Sequence, residues 1–442
     1  MKLIHNILGN IRTSFQIEES VKVVFVALVF SVLSICSAIA QSATDYRILF
    51  DKRNAGDGVL KIECAFTIDF AERDSITLDF GGPLQEETIQ ELHITPDNIR
   101  YSLNPSSKHI TFYRNHKDKE RVRMEYIYMN LTSVLMYGES GAEIWESIYS
   151  SSGEFYYPMR RGVEYSARVK FSVPESLIVV SHSGIDATKW HKENRCVPLN
   201  FAFLNREKYA RQRMTGRYGC EVYQVIGEQV DSMRYEQLCR FVEESIQWFE
   251  EKYGEKYLCN RYGTTTYPAF IFHNGNSSFN RYNMGFISAS QEKFATYPDI
   301  YPIIHEIGHR WMGEYTMFIN SGERGYAFII ETLNEFMTLM CIRDIVGAEV
   351  YEAILNSYRA NWEEIRGTEQ DVHPVDVTDN NNIPVTYRKG IVMLDSIAQE
   401  LGYDTVISRI VQFYNECNGK PNLQYGDFER MCGLIHHKLH IE

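Results

Sequence analysis

The chain has 442 residues, of which 44% are hydrophobic and 23% charged, the balance of a folded globular protein and not of a disordered one. Its formal net charge of −13 argues against a nucleic-acid partner, because neutralising phosphates requires clustered lysine and arginine. The length allows two or three domains, each with its own core.

The chain begins with a segment that we do not expect to belong to the fold. Residues 23–40, VVFVALVFSVLSICSAIA, are an uninterrupted run of apolar or small residues that ends in a pattern suited to signal-peptide cleavage after Ala40. The alternatives are an uncleaved membrane anchor, since 18 residues is near the lower limit for spanning a bilayer, and lipid attachment at Cys36. We therefore expect an exported protein, which is periplasmic, extracellular or anchored facing outward, with membrane contact only through this segment.

A region of predicted strands follows the N-terminal segment. Between residue 46 and about residue 180, short runs such as VLKIECAFTIDF and RVRMEYIYMNL alternate apolar with polar residues and are separated by turn residues. This spacing predicts an antiparallel sandwich or saddle. We assign residues 45–200 to an N-terminal β domain.

The pattern changes to helix from about residue 230, which gives an α+β protein of more than one domain. RYEQLCRFVEESIQWFEEKYG repeats apolar residues at intervals of three and four and stops at Gly254. A short β stretch, YPAFIFHNG and NMGFISAS, comes next, and three later segments are helical by the same test: YAFIIETLNEFMTLMCIRDIVG, YRKGIVMLDSIAQELG and DTVISRIVQFYNEC. We place the domain boundary within 185–225 and assign residues 215–442 to the second domain.

Nine cysteines are present, and eight remain if Cys36 leaves with a signal peptide. No CxxC pair occurs, so a cysteine zinc site is not expected. We interpret the cysteines as small, buried apolar residues, with one or two disulfides among them. The sequence does not indicate which cysteines would pair.

The segment HEIGH, residues 305–309, holds two histidines four apart. On a helix, positions four apart lie nearly one above the other, so both imidazoles can bind one ion. Glu306 follows the first histidine and can reach a water on that ion. Two histidine ligands and a glutamate that takes a proton from the water are typical of zinc peptidases.

A catalytic zinc takes three protein ligands and keeps one open position, so a third ligand must come from elsewhere. The helix IIETLNEFMTLM offers Glu331 and, one turn later on the same face, Glu335. Because this helix is strongly apolar, its glutamates need partners. We assign Glu331 as the third ligand and Glu335 as a hydrogen-bond acceptor that fixes the tautomer of a ligand imidazole.

Three segments resemble the aminopeptidase N family of gluzincins. HEIGHRWMG is similar to the family's HExxHxWxG segment, and IIETLNEFMTL resembles its E-G-F-A-E-Y helix, with Glu331 in the ligand's place. TYRKG, residues 386–390, is similar to the YxKG segment, whose tyrosine supports the tetrahedral intermediate. The resemblance covers about residues 265–440 well and the β region only by general shape.

This resemblance implies a thermolysin-like, mainly helical catalytic domain that holds one zinc ion per chain. His305, His309 and Glu331 would bind the metal, and Glu306 would take the proton of the zinc-bound water that attacks a peptide carbonyl. Tyr387 would donate a hydrogen bond to the oxyanion. Peptides or proteins would be the substrates.

Two features depart from the family pattern. Residues 310–330, between the second histidine and Glu331, form a connection three residues longer than usual, which indicates an insertion near SGERG that leaves both helices intact. More importantly, the segment SSFNRYNMGFISAS lacks the glutamate of the family's GxMEN-type strand, which binds the substrate's free amine. Met284 and Gly285 can still form the strand that bonds to the substrate backbone, and Glu139 or Glu143 is a possible replacement for the amine ligand.

Histidines elsewhere have no carboxylate or cysteine at ligand spacing, so we interpret them as surface or packing residues: His273, His373, His436 and His437. Three functions remain open: an aminopeptidase, an endopeptidase or hydrolase of N-blocked peptides with the same site, and a non-catalytic binding protein that keeps the fold. The intact set of ligands, base and tyrosine favours an enzyme, and the family favours the aminopeptidase.

Overall fold

The computed structural model describes most of the chain after residue 42: residues 43–52, 59–71, 73–80, 89–104, 109–128, 147–149, 156–160, 165–181, 188–195, 199, 201–227, 232–258, 267–273, 281–282, 286–290, 301–313, 322–378, 382–417 and 425–427. The predicted signal or anchor segment lies outside these residues. Within the described part, none of the helices combines the length and the apolar character needed to cross a membrane.

The N-terminal region is built on a six-stranded sheet. Its strands follow the spatial order β11 (His191–Arg195), β9 (Tyr165–Ser172), β1 (Ala43–Asp51), β2 (Leu60–Asp69), β7 (Lys119–Tyr128) and β4 (Ile89–Thr95). The pairs are antiparallel except β1 with β9, which run parallel. In β2 every second residue is fully buried, as the alternation in the sequence predicts.

Two three-stranded sheets complete this region. One has the order β3 (Ser75–Asp79), β6 (His109–Tyr113) and β5 (Arg100–Asn104), and the other the order β10 (Leu177–Ser181), β12 (Phe201–Asn205) and β8 (Ser147–Tyr149). Side chains of the six-stranded sheet share one buried core with both, and the rings of Phe66 and Phe112, from facing sheets, lie 5.9 Å apart. The predicted packing of sheet on sheet is therefore present, with one parallel pair added.

A fourth sheet, which has five strands and is mixed, begins the C-terminal region. Its order is β13 (Tyr209–Arg213), β14 (Glu221–Val225), β15 (Ala269–His273), β17 (Phe286–Ser290) and β16 (Arg281–Tyr282). The central pairs, β14 with β15 and β15 with β17, are parallel, and both edge strands are antiparallel to their neighbours. Strands β13 and β14 belong to this sheet, so the sheet begins at residue 209. The predicted domain bounds remain predictions.

The remainder of the described chain is mainly helical, as predicted for the segments named above; the helix Ala348–Ile365 is not among those predicted segments. The helices are α1 (Ser232–Tyr253), α2 (Tyr301–Gly308), α3 (Leu333–Ile345), α4 (Ala348–Ile365), α5 (Gly390–Leu401) and α6 (Tyr403–Cys417), with a 3-10 turn at Pro374–Asp376. Two wider π-helical turns precede α3 and α5: the first π-turn is Phe328–Thr332 and the second π-turn is Val385–Lys389. Helices α1, α3 and α5 share a single apolar core with α2. An N-terminal β-rich region followed by a mainly helical one confirms the predicted α+β class.

Candidate metal centre

The two histidines of the HEIGH segment come from the C-terminal end of α2. This helix ends at Gly308, and the backbone N–H of His309 still donates to the carbonyl of His305 at 3.2 Å, which carries the helical spacing one residue further. The ring centroids of His305 and His309 lie 4.6 Å apart, with their planes at 90°. Both imidazoles therefore point to the same side, as positions four apart on a helix require.

Glu331 completes a set of three donors. Its Oε2 atom lies 3.3 Å from Nε2 of His305 and 3.3 Å from Nε2 of His309. The three donor atoms, one from each residue, lie within 4.8 Å of one another. Two imidazole nitrogens and one carboxylate oxygen are the donor set of an open catalytic zinc site, so these residues fit the metal that the sequence implies.

Hydrogen bonds on the far side of each ring leave the converging nitrogens available. Nδ1 of His309 lies 2.8 Å from the carbonyl oxygen of Met312, which can only accept, so Nδ1 carries the proton. Nδ1 of His305 lies 2.6 Å from Oε2 of Glu335. Burial raises the pKa of the Glu335 carboxyl, but hydrogen bonding to His305 outweighs it, and the pKa lies below its usual value. An ionised Glu335 also accepts from Nδ1, so Nε2 of each neutral ring presents its lone pair to a metal.

The electrostatics of the metal-free site show how strongly these groups depend on one another. Burial lowers the pKa of His305, but hydrogen bonds to Glu331 and Glu335 raise it well above the usual value. Burial also lowers the pKa of His309, but the negative charge of Glu331 raises it. The resulting pKa lies above the usual value. Burial raises the pKa of Glu331, and the two imidazoles more than reverse this effect. The imidazoles and the Glu331 carboxylate therefore stabilise one another's charged forms.

The backbone that carries Glu331 is the first π-turn, which continues directly into α3. Every residue of this turn is buried, and Glu331 is 7% exposed. Single π-turns inside α-helices are rare and occur mostly at functional sites. A buried carboxylate needs compensation, and here the two imidazoles supply it.

Tyr387 lies in the second π-turn and faces the same three donors. Its ring centroid is 5.9 Å from that of His305, and the phenol lies close enough to the Glu331 carboxylate for that charge to raise its pKa. Burial, followed by the negative charge of Glu331, raises the pKa of Tyr387 far above its usual value. The phenol is therefore protonated and beside the donor set, where it can donate to an oxygen that gains charge.

Glu306 is buried beside these groups, with 7% of its surface exposed. Its negative charge raises the pKa of His305, of His309 and of Tyr387, so it lies near all three. The structure thus brings together the five residues that the sequence singles out for chemistry: His305, Glu306, His309, Glu331 and Tyr387.

Several supporting residues are not predicted from the sequence. Tyr358, on α4, donates a hydrogen bond to Oε1 of Glu335, and the guanidinium of Arg388 lies 4.1 Å from the centroid of the Tyr358 ring. The Nδ2 atom of Asn334 donates to the carbonyl of His305 at 2.8 Å. Only the folded arrangement reveals these polar contacts.

The insertion between the two ligand-bearing segments is held against a later loop. The backbone N–H of Gly325 donates to the carbonyl of Val375 at 2.7 Å, and Arg324 pairs with Asp376 at 2.7 Å. Gly325 has a φ of 83°, a conformation that favours glycine. Residues 322–325 thus form an anchored turn near the predicted insertion, and the helix that carries Glu331 begins directly after it.

Other predicted residues have varied outcomes. Met284, Gly285, Glu139, Glu143, His436 and His437 lie outside the described residues. His273 belongs to β15, and His373 accepts a hydrogen bond from the backbone N–H of Val375 at 3.3 Å, which is a structural role. The described cysteines are buried thiols with no disulfide between them: Cys64, Cys220, Cys239, Cys341 and Cys417.

Comparisons with known proteins identify a family match for the C-terminal region. The family model described as the peptidase family M1 domain matches residues 239–437. The comparison with curated proteins finds no match. Among solved structures, an M1 zinc metallopeptidase from Deinococcus radiodurans is similar, with a TM-score of 0.58, 14% identity and 90% of each chain covered.

Two further structures resemble the chain. A variant of the Deinococcus radiodurans enzyme bound to a Tyr-Ser-Ala substrate has a TM-score of 0.59 and 14% identity. The match covers 90% of this chain and 91% of the variant's chain. Native yeast LTA4 hydrolase has a TM-score of 0.60 and 13% identity, and this chain spans 65% of its length. At such identities the structures support the two-region fold, and the family match supports the chemistry. Residues 239–437 therefore match the peptidase family M1 domain, in agreement with the resemblance to the aminopeptidase N-like gluzincins, and the similar solved structures include M1 zinc metallopeptidases.

Proposed function

We propose that the chain is an exported, aminopeptidase-like enzyme that hydrolyses peptide bonds with one zinc ion held by His305, His309 and Glu331. The observation that carries the proposal is the convergence of these donors, within 4.8 Å of one another, beside a protonated Tyr387. When bound there, zinc supplies a Lewis acid that polarises a carbonyl and makes water acidic enough to react near neutral pH.

Glu306 is the general base in this proposal. As the oxygen of water bonds to the carbonyl carbon, the Glu306 carboxylate takes a proton. It returns that proton to the nitrogen as the carbon–nitrogen bond breaks, so the products are a free carboxylate and a free amine. Its position beside both imidazoles and the phenol supports this role.

Tyr387 stabilises the oxygen that gains negative charge. In the structure the phenol lies beside the metal-binding residues, and its hydroxyl would donate to the substrate oxygen. Its raised pKa keeps the phenol protonated at any pH where the enzyme works. Glu335 supports the ligand His305 by accepting from its Nδ1 atom.

The family favours removal of N-terminal residues, and one feature of the sequence favours a second function. Residues 277–290, SSFNRYNMGFISAS, contain no carboxylate that could bind a substrate's free amine. An endopeptidase, or a hydrolase of N-blocked peptides, needs no such group. A non-catalytic binding protein is a weaker alternative, because binding alone gives no reason to keep Glu306 next to the ligands.

One experiment separates these functions. The zinc-loaded protein is incubated with aminoacyl amides and with N-blocked, internally quenched peptides, and Glu306→Gln is the matched control. Cleavage of the aminoacyl set supports the aminopeptidase, and cleavage of only the blocked set supports the second function. If neither set is cleaved and Glu306→Gln behaves as the wild type does, the enzymatic proposal is wrong.

Export is tested separately. Mass spectrometry of the mature N-terminus from cell fractions should find a chain that starts at Gln41 in an exported fraction. A chain that keeps residues 23–40 and sediments with membranes would support the anchor, and a full-length cytosolic chain would contradict export.

A further inference from the structure

The two π-turns of the site are in direct contact through a pair of threonines. Oγ1 of Thr332, the last residue of the first π-turn, donates to the carbonyl oxygen of Thr386 at 2.7 Å. Both residues are fully buried. Thr332 directly follows Glu331, and Thr386 directly precedes Tyr387, so this hydrogen bond joins the backbone of a metal ligand to the backbone of the phenol.

The methyl group of Thr332 also packs against the residue that directly follows the second π-turn. A Cβ atom added to Gly390, the first residue of α5, would lie 2.6 Å from Cγ2 of Thr332 and 3.2 Å from its Oγ1. Only a glycine allows the backbone after the second π-turn to approach this closely. The side chain of Thr332 is therefore held by a hydrogen bond on one atom and by close packing on another.

We propose that Thr332 is a positioning residue, which sets the separation between the Glu331 carboxylate and the Tyr387 phenol; this inference rests on the proposed peptidase function. Thr332 touches no substrate. It acts through the carbonyl of Thr386, which cannot shift without moving the neighbouring phenol. Catalysis depends steeply on such placement, since a displacement of about 1 Å costs up to roughly 100-fold in rate.

Each part of the threonine side chain has its own role in this proposal. Serine keeps the hydroxyl and loses the methyl group, so Thr332→Ser should retain the connection to Thr386. Valine keeps the shape and loses the donor, so Thr332→Val removes the hydrogen bond to the Thr386 carbonyl. Thr338 provides a matched control, because it is fully buried on α3 and its Oγ1 has no hydrogen-bond partner among the described residues.

The first test does not depend on activity. Hydrogen exchange measured by mass spectrometry should be about tenfold faster over residues 383–394 in Thr332→Val than in the wild type. Thr332→Ser and Thr338→Val should exchange like the wild type in that segment. If Thr332→Val matches Thr338→Val, or if serine exchanges as fast as valine, the proposed connection is wrong.

The second test measures the consequence for catalysis. With a cleaved peptide substrate, Thr332→Val should lower kcat by about 10- to 100-fold with KM nearly unchanged, and Thr332→Ser should recover most of it. An equal loss in Thr338→Val would show a general packing effect and overturn the positioning role. If the wild type cleaves no peptide while the exchange difference persists, the proposed function fails and the connection between the turns stands.

Discussion

Glu335 lies with its Oε2 atom 2.6 Å from Nδ1 of His305 and accepts from the side of the ring opposite the metal donors. Tyr358 donates to the other oxygen of the same carboxylate. Two hydrogen bonds thus fix the orientation of Glu335, and Glu335 fixes the tautomer of a ligand.

This arrangement predicts a graded loss of zinc affinity. Glu335→Gln replaces the ionised acceptor and should weaken zinc binding by about 10- to 100-fold. Tyr358→Phe removes only the hydroxyl that holds Glu335 and should have a smaller effect. Competition with a chromogenic chelator measures both, and equal affinities in all three proteins would contradict the role assigned to Glu335.

Two of the three buried glutamates of the site, Glu331 and Glu306, should respond differently to the same substitution. Glu331→Gln removes a ligand charge and should lose stoichiometric zinc, whereas Glu306→Gln should retain one zinc per chain and lose peptidase activity by a factor of 100 or more, roughly the upper range of general-base effects. Both side chains are 7% exposed, so burial does not distinguish them. Metal analysis with activity measurement decides the assignment, and zinc loss in Glu306→Gln would reverse it.

Removing the hydroxyl of Tyr387 should lower the catalytic rate and leave substrate and zinc binding nearly unchanged. We expect Tyr387→Phe to lower kcat by about 100- to 1,000-fold with KM and zinc content nearly unchanged, because the donor acts on charge that develops during the reaction. Tyr403→Phe is the control, since Tyr403 donates to Asp395 at 2.8 Å in a separate buried cluster. A Tyr387→Phe protein with unaltered kcat would exclude the phenol from the chemistry.

Zinc binding should depend on pH because protons compete with the metal. The pKa of His305 lies well above its usual value and that of His309 above it, so both rings must release protons on binding zinc. Affinity should therefore rise with pH through the neutral range, and calorimetry in buffers of different ionisation enthalpy should detect proton release.

The same shifts give the metal-free protein the opposite trend in stability. Above about pH 6.5, the ordinary histidine value, the folded state holds more protons on these imidazoles than the unfolded state does. The stabilisation is complete below that pH and is lost as the pH rises through the raised pKa values. Metal-free protein that becomes more stable over this range would contradict the predicted linkage.

Gly308 should be sensitive to the smallest substitution. A Cβ atom at this position would lie 2.3 Å from Oδ1 of Asn334 and 3.0 Å from Cζ of Phe249. Gly308→Ala should lower the free energy of unfolding by about 1–3 kcal/mol, even though alanine favours helix by about 1 kcal/mol. In a protein that also carries Asn334→Ala, Gly308→Ala should lower the free energy of unfolding by a smaller amount. Denaturant unfolding of the four proteins of this cycle measures the coupling, and additive effects would show that the two residues do not clash.

The sequence predicts much of this site because helical spacing is a local property. Two histidines four apart on a helix must share a face, and apolar spacing correctly places Glu331 on a buried helix. The alternation in β2 likewise predicts which side chains are buried. These inferences need only the geometry of one element.

Features that join distant elements are beyond such reasoning. The parallel pairing of β1 with β9 depends on the path of the chain between them, which alternation within either strand does not record. Tyr358 appears in the sequence as one apolar position of an amphipathic helix, and its hydrogen bond to Glu335 depends on how α4 packs against α3. The π-turns have no clear signature in residue spacing, because a single wide turn disturbs the helical period by only one residue.

Each π-turn contains one residue beyond what a regular helix of the same path would use. Deleting a single residue from 328–332 or from 385–389 would let the backbone relax into an uninterrupted α-helix, while rotating the side chains on one side of the deletion by about 100° relative to the other. Shortened proteins of this kind should lose the alignment of carboxylate and phenol. A change of one residue in chain length at either turn would therefore misalign the site even if each of its side chains were kept.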